Sequence, residues 1–269
     1  MNENEQQPKK DVIYAKGLKG VIATETGLSD VRGEQGHLLY CGYEIEDLVD
    51  LCSFTEIIYL LLNKRLPNRE ELAGLEQRLR NDRELPQPIL DFFKTATKTA
   101  RPMSALRTAV SMLGMYDDRT KDPSQMKEIG LSLIAKLPVM AAYYYRICQG
   151  LDLPPIRTDL GEAEHFLWLL KGTEPDPAEA HILDVAYILH ADHGMNASTF
   201  SARVTASTLS DMYSAITSAI GSLKGPLHGG ANEAVIEMLK EIGEEENVEE
   251  YINRKLANKT VKNGYHLVN

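Results

Sequence analysis

From Ser210 to Leu223 the apolar residues Met212, Ile216, Ala219, Ile220 and Leu223 recur at i, i+4 and i+7 spacing, which predicts an amphipathic helix. Gly225-Pro226 ends it, and beyond Gly230 the run Ala-Asn-Glu-Ala-Val-Ile-Glu-Met-Leu takes up the same period. An earlier helix opens with Asp176 as N-cap and Pro177 at its first position. Its predicted buried stripe is Ile182, Val185, Ala186 and Leu189, continued by His193 up to a stop at Gly194. Upstream, Ser53 and Glu56 form a capping-box pattern ahead of Ile57-Ile-Tyr-Leu-Leu-Leu. Pro102, Pro123 and Pro138 each mark a helix start, and Gly150 ends a helix. Residues 17 to 43 alternate around Gly27 and Gly36 as short strands do, and the first residues predict a mobile tail. Residues 151 to 160, with Pro154-Pro155, read as a surface connection, and Glu244-Glu-Glu before Asn247 as a solvated turn. The predicted class is therefore all-α, with a short hairpin near the start and no fixed-period repeat.

Composition narrows the picture without changing it. With 269 residues, 43% hydrophobic and 25% charged, the chain can bury a sizeable core. A formal charge of -10 argues against nucleic acid or an anionic membrane as partner, and no apolar run reaches membrane-spanning length. The N-terminus, Met-Asn-Glu-Asn-Glu-Gln-Gln-Pro-Lys-Lys, lacks the apolar core of a secretory signal. Cys41, Cys52 and Cys148 lack metal or redox spacing and suit a reducing cytoplasm as free, buried thiols. The helices expected at 103 to 116, 138 to 149 and 197 to 223 are rich in Ala, Met, Ile and Tyr. Such faces fit either a second subunit or the core of one large domain.

Two histidine-bearing turns carry the candidate chemistry. His228 stands in Leu-Lys-Gly-Pro-Leu-His-Gly-Gly-Ala-Asn, with four Gly or Pro residues within positions 225 to 230. A lone His beside one glycine would read as a turn cap; this density reads as a built site. At the positive start of a helix, His228 is favoured as a neutral imidazole, able to donate a hydrogen bond to a carbonyl becoming an enolate. His193, in Leu-His-Ala-Asp-His-Gly-Met-Asn, is expected at a negative helix end, where an imidazolium could hold a carboxylate. Read blandly, His190 and His193 bond to helix carbonyls; without CxxC, HExxH or clustered carboxylates they carry no metal signature.

These two turns together resemble the citrate synthase family, in its shorter bacterial and archaeal form. The likeness extends to Gly17-Leu-Lys-Gly-Val-Ile-Ala-Thr-Glu-Thr, to Leu38-Leu-Tyr-Cys-Gly-Tyr-Glu-Ile-Glu-Asp-Leu and to Arg101-Pro-Met-Ser-Ala-Leu-Arg-Thr. It implies a multi-helix large domain at residues 17–224 with a short N-terminal hairpin, a 1–16 tail, and an incomplete small domain from 225 to 269 that is locally unstable. It also implies a homodimer with sites completed across the interface. The family condenses oxaloacetate with acetyl-CoA, or with propionyl-CoA to give 2-methylcitrate; the acyl-CoA is a co-substrate and no cofactor is implied. By matching, His228 is the enolate-stabilising histidine and His193 the oxaloacetate ligand, with His190 and Asn196 in support.

By motif, the likeness runs from residue 17 to about 258. Thereafter Thr260-Val-Lys-Asn-Gly-Tyr-His-Leu-Val-Asn keeps only His266 of the family's Gly-Phe-Gly-His-Arg segment. A frameshift, a truncation, a cut piece or a divergent tail would each produce such an ending. No residue matches the family's aspartate base or its carboxylate-binding arginines. Asp192 and Glu233 are the conceivable substitutes, each better explained by a helix end or a solvated face, as Lys224, Arg107 and Arg203 are by solvated charge. The expectation is negligible turnover by residues 1 to 269 alone, and the non-catalytic alternative is a dimerising helical remnant.

Overall fold

The computed structural model describes residue 22, residues 24–96 and residues 100–257. The tail expected over 1–16, His266 and the side chain of Glu233 lie outside the described residues. Three short antiparallel strands, β1 (Ser29–Arg32), β2 (His37–Tyr40) and β3 (Tyr43–Glu44), form one sheet in the order β1-β2-β3. Ser29 stands opposite Tyr40 and Tyr40 opposite Tyr43. Of the two glycines expected to punctuate strands, Gly36 sits in the β1–β2 turn at φ +70°, whereas Gly27 precedes the sheet.

Besides a few short 3-10 turns, the rest of the regular structure among the described residues is twelve α-helices: α1 (Ile45–Leu51), α2 (Phe54–Asn63), α3 (Arg69–Asn81), α4 (Gln87–Thr95), α5 (Pro102–Leu113), α6 (Met126–Gln149), α7 (Glu162–Lys171), α8 (Pro177–Leu189), α9 (Ala197–Ala206), α10 (Met212–Leu223), α11 (Gly230–Ile242) and α12 (Val248–Ala257). Local chemistry explains many of their ends. The Ser53 side chain accepts from Glu56 N while Glu56 reaches back to Ser53 N, as the capping-box pattern predicts, and Asp176 caps α8 at Ala178 N. Gly150 closes α6 in the left-handed region at φ +70°.

The main core gathers Ile89 and Phe93 of α4, Ala109 and Val110 of α5, Ile129 to Tyr144 along α6, Leu169 of α7, and Tyr213 and Ile220 of α10. A second core joins the sheet to α8: Tyr40, Ile45, Leu48, Ile57, Leu60 and Ile188. This second core positions the candidate site, because it holds the end of α8 against β2.

Several expectations are corrected. Pro138 lies in the middle of α6, where the loss of one backbone hydrogen bond is outweighed by burial of Leu133, Val139, Met140 and Tyr143 on either side of it. The helical stretch from 197 to 223 is two helices, the second being the one expected from Ser210 to Leu223, and they part where Leu209 takes φ +64° and Asp211 caps α10. The predicted stripe of α8 is also misplaced: Ile182 is 67% and Leu189 44% exposed, and the inward positions are Ala180 and Ile188. Residues 151–160 are the surface connection expected of them, and a pinned one. Pro154 is buried, its carbonyl accepts from Tyr143 Oη at 2.6 Å, Pro155 O accepts from Trp168 Nε1 at 2.9 Å, and Arg83 donates to Arg157 O and Leu160 O. The three cysteines are unpaired and half-buried. No helix among the described residues is long and apolar enough to cross a membrane.

Candidate active site

His228 stands two residues before the first residue of α11, in a turn folded on itself by backbone bonds. Its amide donates to Gly225 O at 3.0 Å, and Gly230 N reaches the same oxygen at 3.2 Å. The glycines are required by close approach: a Cβ on Gly229 would lie 2.5 Å from Leu223 O, and one on Gly230 3.0 Å from Gly225 O. The turn thus serves both readings given to it, as a tight reversal and as a platform that holds one imidazole.

Across from it, the connection from α8 to α9 carries the second constellation. The helix ends at Leu189, with His190 as C-cap, so His193 lies in the connecting turn and not on the last helical turn. The expected helix-end bias toward its imidazolium therefore loses its basis, since that field falls off within a turn. The stop comes earlier than Gly194 because the backbone of 188–192 is held by Tyr40 instead: its hydroxyl lies 3.1 Å from Ile188 O and 2.9 Å from Asp192 O. Gly194, at φ +72°, is a turn residue whose amide donates to Asp192 Oδ1 at 3.0 Å. Asp192 is thus engaged in its own turn, which weakens it as a substitute base.

His190 is exposed, and its Nδ1 lies 2.7 Å from Ala186 O, the bland arrangement weighed for it. Asn196 caps α9: its Oδ1 accepts from Thr199 N at 2.8 Å and from Ser198 Oγ at 2.7 Å. Ser198, a residue that the motif reading passed over, is the joint between the turns, with Oγ 2.9 Å from His228 Nε2. Asn196, Ser198 and His228 therefore form one hydrogen-bonded chain across two sequence segments. No local pattern marks Ser198; only its place in the first turn of a capped helix, within reach of His228, does.

Ser198 has one proton for two neighbours. If it goes to His228 Nε2, the neutral ring carries its own proton on Nδ1, which is then a donor. If it goes to Asn196, Nε2 keeps the ring proton and Nδ1 becomes an acceptor. Beside this turn a cavity of about 360 Å³ is lined by Arg101, Pro102, Met103, Leu223, Lys224, Gly229 and Gly230. Lys224, expected as an ordinary solvated charge, shares its wall with Arg101, which suits an anionic ligand with an apolar stem. Among the described residues, no group of three His, Cys, Asp or Glu side chains could hold a metal ion.

Comparison with known proteins adds the following. The family model for citrate synthase, C-terminal domain, matches residues 17–267, continuing past the point near residue 258 where the motifs fade. The chain is 49% identical over 247 residues to citrate synthase 2 of Bacillus subtilis (strain 168), covering 91% of this chain and 66% of that protein. It is 42% identical over 257 residues to 2-methylcitrate synthase 2 of Corynebacterium glutamicum, covering 93% and 67%. The fold matches citrate synthase from Thermoplasma acidophilum, solved as a ternary complex with carboxymethyl coenzyme A and oxaloacetate, at a TM-score of 0.83 and 30% identity, over 91% of this chain and 65% of that one. The chain thus spans about two thirds of the length of the relatives it matches.

Proposed function

Because this chain belongs to the citrate synthase family, we propose that its two histidine turns are the oxaloacetate and enolate halves of a condensing site, joining oxaloacetate to acetyl-CoA. The observation that carries the proposal is the 2.9 Å approach of Ser198 Oγ to His228 Nε2. In the proposed step the Ser198 hydroxyl turns its one proton from Asn196 Oδ1 to Nε2, and the proton then carried on Nδ1 meets the thioester oxygen as negative charge develops there. A neutral donor positioned for that charge lowers the barrier without itself losing a proton. His193, exposed in the α8–α9 turn, takes the oxaloacetate, with Asn196 holding the start of α9 beside it and His190 in support. The acyl-CoA enters along the cavity walled by Arg101 and Lys224, its apolar arm against Met103 and Leu223.

Among the described residues no carboxylate hydrogen-bonds to His228 or Ser198, which supports a second proposal: residues 1–269 on their own turn over negligibly. Proton-transfer groups contribute ~10²–10⁴-fold each, so a site in which no carboxylate takes the part of the base is slower by about that factor. Propionyl-CoA as co-substrate is the alternative chemistry, favoured by the likeness to a 2-methylcitrate synthase.

A cytoplasmic homodimer is proposed with it, supported by unpaired thiols and by apolar side chains left exposed on α9, Phe200 and Val204. If no partner subunit is bound, the non-catalytic dimerising remnant is excluded as well. A smaller domain is placed from residue 225 onward, its exposed Ile236, Leu239, Ile252 and Leu256 being faces that a packing partner would cover.

The test is oxaloacetate-dependent release of CoA from acetyl-CoA and propionyl-CoA by purified residues 1–269, beside calorimetric binding of oxaloacetate. Binding without turnover is expected. Turnover abolished by His228→Ala would overturn the inactivity proposal, and absence of oxaloacetate binding would overturn the site assignment.

A further inference from the structure

We infer that Tyr40 is a positioning residue for His193, gripping the α8–α9 turn so that the imidazole is presented in one orientation; its ligand role rests on the function proposed above. Tyr40 sits on β2 with its ring fully buried among Ile45, Leu48, Ile57, Leu60 and Ile188. A phenylalanine would fill that apolar space equally well, so the hydroxyl contributes direction. It lies 2.9 Å from Asp192 O, 3.1 Å from Ile188 O and 3.4 Å from Leu189 O, and it accepts from Asp192 N at 3.2 Å.

One oxygen therefore holds the peptide groups on both sides of Asp192. The carbonyl of Asp192 belongs to the same planar unit as the amide of His193, so fixing the first fixes the plane from which the His193 side chain departs. No helical ladder does this work, since α8 has already ended at Leu189. Burial raises the pKa of the Tyr40 hydroxyl, which keeps it a donor throughout the neutral range. On the far side of the turn, Asp192 Oδ1 receives Gly194 N and Asn196 caps α9, so His193 is held from before and after.

The experiment uses residues 1–269 with histidine ring carbons labelled for NMR, together with Tyr40→Phe. The expected result is that His193 signals broaden or split while those of His228 and His165 stay in place, and that oxaloacetate affinity falls about tenfold, the net worth of roughly one hydrogen bond. A general loss of packing would move all three histidines. Unchanged His193 signals in a folded Tyr40→Phe would overturn the inference, whatever the oxaloacetate result; a wild-type chain that binds no oxaloacetate would overturn the ligand assignment while leaving the positioning readout intact. Hydrogen exchange at the Asp192 amide of the unaltered chain decides the matter even if Tyr40→Phe does not fold. Protection supports the grip, and exchange at the rate of an open loop overturns it.

Discussion

Ser198 Oγ and His228 Nε2 lie 2.9 Å apart, 30 residues distant in sequence, and the direction in which the Ser198 proton points, to Nε2 or to Asn196 Oδ1, decides which nitrogen of the imidazole carries the ring proton. Ser198→Ala removes the partner that holds the proposed Nδ1–H tautomer. The expected outcome is a mixture of tautomers in place of one, read from ¹⁵N shifts of the His228 ring, with little change in melting temperature. A ring already in mixed tautomers in the unaltered chain would contradict the proton assignment.

Gly229→Ala places a methyl group 2.5 Å from Leu223 O, and a backbone shift must follow. A loss of about 1–3 kcal/mol by urea denaturation is expected, with the His228 ring signals displaced. The opposite holds for Gly74 inside α3, where a Cβ meets nothing within 4 Å. Gly74→Ala should stabilise the chain by about 0.5–1 kcal/mol, because it lowers the entropy of the unfolded state.

Asp117 accepts from Arg119 at 2.7 Å and from Tyr213 Oη at 2.6 Å, and the Arg119 bond is the main cause that lowers its pKa to about 2. The folded value lies below the unfolded one, so this contribution is fully present above about pH 4 and is lost as pH falls toward 2. Tyr213→Phe removes one of the two bonds. It should cost about 1 kcal/mol at neutral pH and move the acid-unfolding midpoint upward, as followed by circular dichroism.

Arg83 has no exposed surface and donates to Glu162, also buried, at 2.5 Å. Burial raises the Glu162 pKa, and the guanidinium opposes that rise. Arg83→Met should cost about 3–5 kcal/mol, since it leaves a carboxylate without its partner and frees the carbonyls of Arg157 and Leu160. Arg83→Met with Glu162→Gln should recover part of that loss; equal stability of the single and double variants in a denaturation series would refute the pairing.

Features set within one turn of chain were legible in the sequence: the Ser53–Glu56 box, the Asp176 cap and the left-handed Gly150 all stand where their residue types place them. The two histidine turns were legible for the same reason, as dense Gly and Pro signals around rare side chains. Features set by distant packing were not. Pro138 survives inside α6 because of what flanks it, and the inward face of α8 turns on Ile188 because Tyr40 and Leu60 wait there. The early end of α8, and with it the place of His193, follows from a tyrosine 152 residues away from Asp192. Ser198 was invisible for a related reason, as its partner is a residue of another turn.

That 152-residue span also bears on the order in which the molecule takes shape during synthesis. The β1–β2 hairpin leaves the ribosome long before the turn that it will clasp, and closing so long a loop defers the contact until the intervening helices have condensed. The α8–α9 turn is thus among the last parts to become rigid. A nascent chain has its helices before this turn is held, and the grip forms only when the oldest strand meets one of the newer turns.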